Sequence, residues 1–348
     1  HDICHPPFSH ALEPIMEDAT GLDHMELARA LIMGDIPNHM DVDGDLFDGL
    51  PTIAEMMEAE GISAEVVCGL ITYPESTGEE ALDRFWNKHE YFPSKDYAHQ
   101  IIHGPVDADQ MDYLMRDAHN TGVTHGSIDS DRLIKTMMVM NDRIVLRRGG
   151  ITAAEGLMVS RSLMYTTVYF HETVRIAQRM LTKAVENSVV DLSDIYLLGD
   201  SELMQRIAGS DGLPSRNIRR IAARMLDKKA LVIYSDDMTD EKAEVLMKYT
   251  GREGARRLED EIAEAADIDP FDVGAEVTSA SNLQGKIKIG KTDVAIADDC
   301  GRVKSLVRFS PIARSLQARD PFSWAVLVSA PESECDAVRR AAHKVLGF

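Results

Sequence analysis

Along most of the first 230 residues, apolar positions recur at spacings of three and four, the period of amphipathic helices. The spacing predicts helix over 109–120 and 153–187, where Met, Leu and Ala dominate and β-branched alternation is scarce. Breaks fall at IPNHMDVDGDLFDGLP (36–51), YPESTGEE (73–80) and RRGG (147–150), each rich in turn formers. Near Leu231 the pattern changes. ALVIYS reads as a strand, and DEKAEVLMKYTGREGARRLEDEIAEAA (240–266) as one long charged helix. VGAEVT, KTDVAIADD, RVKSLVRF and SWAVLVSAP follow as four strand candidates, with short helical pieces between and after them. The expected fold is therefore mainly α: a helical domain over 1–230, then a smaller α+β domain over 231–348. No internal repeat or low-complexity tract interrupts it.

Composition narrows the classes. A length of 348 residues with 44% hydrophobic and 27% charged positions is enough for a full core and argues against disorder. The 58 acidic against 37 basic residues give a net charge of −21. That balance repels nucleic acid and anionic membranes, so a polyanionic substrate needs a local cluster of cations or a metal. Cys4, Cys68, Cys300 and Cys335 form no C-x-x-C pair, which suits a reducing cytosol and suggests neither a disulfide framework nor a structural zinc. No apolar run approaches a membrane span, no Lys/Arg-led signal peptide opens the chain, and a cytoplasmic location is expected. The chain opens inside a motif and without an initiator Met, so a preceding segment is expected outside it.

That motif is HDICHPPFSHALE, with three histidines, an aspartate and a glutamate in its first thirteen residues. His1 and Asp2, joined by Asp109, form a candidate site for Mn, Fe, Ni, Zn or Mg, because imidazole and carboxylate together suit such ions. His10 and Glu13 lie three apart, a spacing at which the carboxylate fixes the tautomer and raises the basicity of the imidazole, as a general acid requires. His5 stands between them and the metal pair. His24, in LDHMELA, is a lone helical histidine. In GPVDADQMDYLMRDAHNTG (104–122), Asp109, Tyr113 and Asp117 fall on one helix face with Asp112 and Arg116 flanking. In SRSLMYTTVYFHETVRIAQRM (160–180), Arg161, Tyr165 and Tyr169 again stack four apart beside His171. There an Arg can take a phosphate bidentately and a ring can pack on a sugar or base. DVDGDLFD (41–48) only faintly suggests a calcium loop: its glycine is misplaced and Thr52 stands where the last ligand belongs. It reads as a solvated acidic loop.

These three segments, in this order, resemble the HD-domain phosphohydrolases, and more closely the branch of dGTPases and SAM-and-HD-domain deoxynucleoside triphosphate triphosphohydrolases. HDICHPPFSHALE corresponds to HD-x-x-H-x-PFSH, DHMELA to the histidine-bearing helix downstream, GPVDADQMDYLMRDAHNTG to D-A-D-R/K-M-D-Y-L-x-R-D, and RSLMYTTVYFH to R…LMY…VY.H. The resemblance covers about 1–230. It implies a divalent metal on His1, Asp2 and Asp109, with His5 contacting phosphate or the attacking water. His10, oriented by Glu13, would be the general acid on the leaving sugar oxygen, and His24 would touch phosphate. Tyr113 and Asp117 would hold the deoxyribose, Asp117 near its 3′-hydroxyl, with Arg161 on phosphate and Tyr169 under the sugar. Three departures stand out. The family's upstream metal histidine is absent from the chain, Gln110 replaces a phosphate-binding Arg or Lys, and Phe170 replaces a base-reading polar residue.

The implied reaction is hydrolysis of a dNTP to deoxynucleoside and tripolyphosphate. The alternatives are another nucleotide (a monophosphate, cyclic dinucleotide or alarmone) or a non-catalytic nucleotide sensor, and the intact His10–Glu13 pair argues against the sensor. The resemblance also implies a homo-oligomer.

Overall fold

The computed structural model describes residues 1–37, 49–72, 96–278, 294–317 and 324–348. The acidic loop 41–48 and the break at 73–80 lie outside them. As expected, the fold is mainly α with a smaller α+β part toward the C-terminus. Two compact units emerge, one formed by His1–Gly104, Asn141–Arg143 and Ala184–Ser215, the other by Pro105–Met140, Ile144–Lys183 and Arg216–Phe348.

The first unit opens with α1 (Glu13–Thr20), α2 (His24–Met33), α3 (Ile53–Ala59), α4 (Ala64–Ile71) and α5 (Asp96–His103). Capping boxes start α2 and α3: Asp23 with Glu26, and Thr52 with Glu55. Each satisfies two backbone donors reciprocally and fixes where the helix begins. Ile32, Ala64, Cys68 and Ile71 form a buried cluster here.

Next along the chain come α6 (Ala108–Thr121), α7 (Ser130–Thr136) and the strands β1 (Met137–Met140) and β2 (Arg143–Arg147), then α8 (Ile151–Met164) and α9 (Glu172–Glu186). The hairpin interrupts a stretch expected to be helical. Asn141 and Asp142 both adopt left-handed backbone, φ 51° and 60°, which is the two-residue turn that matches strand twist. The helix expected over 153–187 is also divided. After α8 the chain forms a π-helical turn at Tyr165–Tyr169, closed by Phe170 N–H donating to Tyr165 O at 2.8 Å.

Beyond α10 (Asp200–Ala208) and α11 (Leu213–Ala222) come β3 (Lys228–Tyr234), α12 (Asp240–Met247), α13 (Gly251–Ala266), β4 (Gly274–Val277), β5 (Ala295–Ala297), β6 (Val303–Ser305), α14 (Pro311–Gln317), β7 (Trp324–Ala330) and α15 (Cys335–Leu346). Every strand candidate of this region contains a strand. The single helix expected over 240–266 is two helices, because the chain turns inward at Tyr249, which is fully buried. Gly251 restarts the chain at φ 75°, and a side chain on Gly254 would meet the Tyr249 backbone at 2.4 Å. β3, β7 and β4 form an antiparallel sheet with Val232 opposite Leu327 and Ala275 opposite Val328. α13 and α15 share its core through Leu258, Ile262, Val338 and Ala342. A second sheet runs in the order β1-β2-β5-β6, with Leu146 paired parallel to Ile296. No described helix is long and apolar enough to cross a membrane.

Candidate active site

The first unit gathers the histidines. Cys4, Pro6 and Pro7 are buried and anchor the opening segment. The chain then reverses through two successive left-handed residues, Phe8 (φ 60°) and Ser9 (φ 51°). Neither is glycine, so each carries a cost of roughly 1–2 kcal/mol. The turn closes with Ser9 N–H donating to Pro6 O at 2.8 Å and delivers His10 just ahead of α1, which begins at Glu13.

Glu13 serves two imidazoles. His10 Nδ1 lies 2.6 Å from Glu13 Oε2, and His24 Nδ1 is hydrogen-bonded to Oε1. The Asp23–Glu26 capping box sets His24 at the first position of α2. Its ring stacks on His5 at 3.9 Å and 16°, and the His5 ring meets that of His10 edge-on at 4.8 Å. His10 is 75% exposed in its side chain, whereas Glu13 is 15% and His24 12% exposed. The two imidazoles, His10 first and His24 second, hold the Glu13 carboxyl well below the usual carboxylate range against the opposing effect of burial. It is therefore ionised at neutral pH and accepts from both Nδ1–H groups. That leaves the Nε2 atom of each ring outside the contact with Glu13.

Asp2 lies 3.1 Å from His1 Nε2 and 3.4 Å from His5 Nε2, and the bond from His5 lowers the pKa of its carboxyl. Donor atoms of Asp2, His5 and His24 all fall within 4.8 Å of one another, as do those of His5, His10 and Glu13. A mixed nitrogen and oxygen set of this kind fits a borderline divalent ion. His103, absent from the sequence expectations, packs edge-on against His1 at 5.4 Å, while its Nε2 lies 3.0 Å from the Ile71 carbonyl at the end of α4. No spacing in the sequence announces that neighbour.

The second unit gathers the tyrosines and Asp117. Asp107 caps α6, and it accepts both the backbone N–H (2.7 Å) and the side-chain amide (2.9 Å) of Gln110. Gln110 is 2% exposed, so its side chain belongs to the cap. Asp109 occupies the first turn of α6. Further along, Asp112 and Arg116 form an exposed ion pair at 2.6 Å. Tyr169 donates its hydroxyl to Asp117 Oδ2 at 2.6 Å. Its ring meets those of Tyr113 at 6.0 Å and Tyr165 at 5.3 Å, and the Arg161 guanidinium sits 5.4 Å over Tyr165. Burial raises the pKa of both Tyr113 and Tyr169, and for Tyr169 the Asp117 contact adds to it. Both phenols stay protonated. Tyr165 thus joins Arg161 to Tyr169, as the four-residue spacing suggested. The contact between Tyr169 and Asp117 links α6 to the π-helical turn. His171 instead accepts the Thr173 N–H at 3.2 Å, at the start of α9. Phe170 hands its carbonyl to Trp324 Nε1 at 3.1 Å.

A helical segment that gathers the histidines is followed by a helical and sheet-bearing region that carries the tyrosine turn. The family model described as the HD associated region matches residues 128–348, and the chain belongs to that family. It is 27% identical over 347 residues, 97% of its length, to the uncharacterized protein MJ1154 of Methanocaldococcus jannaschii, and spans 63% of that protein. It is 31% identical over 188 residues to the uncharacterized protein YwfO of Bacillus subtilis, spanning 35% of it. Its fold is shared with a phosphohydrolase from Bacteroides thetaiotaomicron, with a TM-score of 0.62 at 20% identity, covering 95% of this chain and 77% of that one. A hypothetical protein from Aquifex aeolicus also has a TM-score of 0.62 at 20% identity, covering 98% and 77%.

Proposed function

We propose that the chain is a metal-dependent phosphohydrolase of nucleotides, with dNTPs as favoured substrates and deoxynucleoside and tripolyphosphate as products. The observation that carries this reading is the ionised Glu13 carboxylate bound to His10 Nδ1 at 2.6 Å while the rest of His10 faces solvent. A binding pocket has no use for a proton donor poised this way. In this reading residues 1–230 hold the chemistry, residues 231–348 form a second domain, and the chain assembles as a homo-oligomer.

A divalent ion held by His1, Asp2 and Asp109 would polarise a phosphate and lower the pKa of bound water. The chain's own residues do the rest. Glu13 holds the His10 proton on Nδ1 and stabilises the imidazolium, whose Nε2–H is given to the departing 5′-oxygen. His5 contacts phosphate or the attacking water, and His24 contacts phosphate. Arg161 pairs with phosphate oxygens. Tyr169 donates to one Asp117 oxygen, leaving the other to accept the sugar 3′-hydroxyl, while Tyr113 and Tyr169 restrict the sugar pocket and so select deoxyribose over ribose.

One observation favours a second reading, hydrolysis of a nucleotide with fewer phosphates. Gln110, where the resembling family has a cation, brings no charge and is engaged with Asp107. A substrate panel separates the two. Metal-supplemented protein is incubated with four deoxynucleoside triphosphates, a ribonucleoside triphosphate, dGMP and a cyclic dinucleotide, and products are resolved by ion exchange. Tripolyphosphate that disappears in His10→Ala is the expected result. Turnover of the monophosphate or dinucleotide alone selects the second reading, and no turnover by metal-loaded protein overturns both.

A further inference from the structure

The left-handed pair Phe8–Ser9 immediately precedes His10, and its own turn supplies only backbone bonds, Ser9 N–H to Pro6 O at 2.8 Å and Ala11 N–H to Phe8 O at 3.1 Å. Phe8 has no side-chain cap for the short 3-10 turn that follows. The clamp comes from far along the chain: Phe8 N–H donates to Asp200 Oδ1 at 2.9 Å, across 192 residues of sequence. Asp200 stands in the first turn of α10, and both residues belong to the same compact unit. The distance is that of an ordinary N–H···O bond, for which the acceptor oxygen and its placement are what count. Buried Pro6 and Pro7 fix the chain on the other side of the turn. Strain at a site persists only where the surroundings over-determine it, and Asp200 is the long-range member of that set.

We infer that Asp200 is a positioning residue for His10: it pins the strained Phe8–Ser9 turn and so keeps the His10 ring against Glu13. The inference rests on the proposed role of His10 as general acid. Asp200 touches neither substrate nor metal ligand in this scheme and acts through the backbone alone. A helix-dipole role, open to any acid in a first turn, would depend on charge. The clamp depends only on an acceptor atom. Asp200→Asn keeps the acceptor and Asp200→Ala removes it.

The test compares both variants, and Asp200→Ala combined with Ser9→Gly, by steady-state kinetics and by proton–nitrogen NMR of the His10 Nδ1–H bound to Glu13. Asp200→Ala is expected to lower kcat about tenfold, ~1.4 kcal/mol of transition-state stabilisation, with KM within about twofold, and to weaken the Nδ1–H signal. Asp200→Asn is expected to stay near the parent. Ser9→Gly removes one of the two left-handed costs, so the double variant is expected to recover most of the lost rate. An unchanged Nδ1–H signal with kcat within twofold in Asp200→Ala overturns the inference, as does an Asn variant as impaired as the Ala variant or a loss confined to KM. Should the parent turn nothing over, the functional reading fails on its own and the NMR comparison still decides the clamp.

Discussion

Replacing Glu259 by Gln removes one charge from the interior of the second unit and little else. Glu259 has a side chain 4% exposed, between Arg179 at 12% and Lys183 at 8%. Its oxygens accept from Arg179 Nε at 2.7 Å and Nη2 at 2.6 Å, from Ala275 N at 2.9 Å and face Lys183 Nζ at 3.3 Å. Gln keeps the shape, but it confronts the cations with an amide donor and no countercharge. Breaking a buried pair on one side costs about 3–5 kcal/mol. For a folded body of this size each kcal/mol moves the Tm by roughly 2–4 °C, so a fall of roughly 6–20 °C is expected by scanning calorimetry. Glu276→Gln is the control, because its pair with Arg175 is more open, at 24% and 27% exposed, and should lose far less. A second readout follows from Lys183. Burial already lowers its pKa from the ordinary 10.5, and Glu259 is the largest influence opposing that. Without Glu259 the folded value drops further below the unfolded one. The destabilisation then belongs to the protonated lysine and shrinks as pH rises toward 10.5. A Glu259→Gln shift below about 3 °C, or a penalty that does not shrink in alkali, would show that the network is not charge-dependent.

Three further outcomes are expected. Trp324→Phe loses the N–H bonded to the Phe170 carbonyl and shrinks a fully buried ring; the lost bond costs about 1–3 kcal/mol and the cavity adds to it, read as a lower Tm together with weaker nucleotide binding by calorimetric titration. The Glu13 carboxyl has a folded pKa below its ordinary 4.5, so its contribution is present above that pH and lost as pH falls through the folded value. The stability difference between the parent and Glu13→Gln should accordingly be clear at neutral pH and close progressively below 4.5 in a pH series of Tm values. Of the four cysteines, Cys300 alone is exposed, while burial pushes Cys4 up to about 11. A maleimide should therefore label one thiol rapidly under native conditions and all four only after unfolding, as counted by mass spectrometry.

What could be read in the sequence was what depends on local spacing. His10 and Glu13 are three apart, and the contact between them needs only one turn of chain. Arg161, Tyr165 and Tyr169 likewise meet along a single segment. The second partner of Glu13, His24, was not legible from spacing, because it comes from the next helix. The contact of Tyr169 with Asp117 crosses from the π-helical turn to α6, and an ideal helix through 153–187 would have aimed that ring elsewhere. The β1–β2 hairpin escaped because its strands are short, Met-rich and joined by Asn-Asp rather than the Asn-Gly that usually marks such a turn. Glu259 escaped for a different reason. In a charged stretch such as GREGARRLEDEIAEAA every acid looks solvated, and only the cations of a helix eighty residues earlier show which one is not.

Those cations bear on what the region after Leu231 does. Arg175, Arg179 and Lys183 lie on one stripe of α9, at spacings of four. Arg175 binds Glu276 on β4, Arg179 binds Glu259 on α13, and Lys183 binds Glu259 and the carbonyls of Pro270 and Val273. α9 starts directly after the turn that presents Tyr169, and the Phe170 carbonyl at that junction is taken by Trp324 at the head of β7. The helix is thus held along its length, and at its origin, by side chains from the α+β region. A tyrosine hydroxyl that must meet Asp117 at 2.6 Å tolerates little drift, since hydrogen bonds weaken steeply with distance and angle. On this argument the α+β region steadies the turn that sets Tyr169. Two of its acids, Glu259 and Glu276, are engaged with α9, and no cluster of His, Cys, Asp and Glu like that of the first unit brings donor atoms together among the described residues of that region.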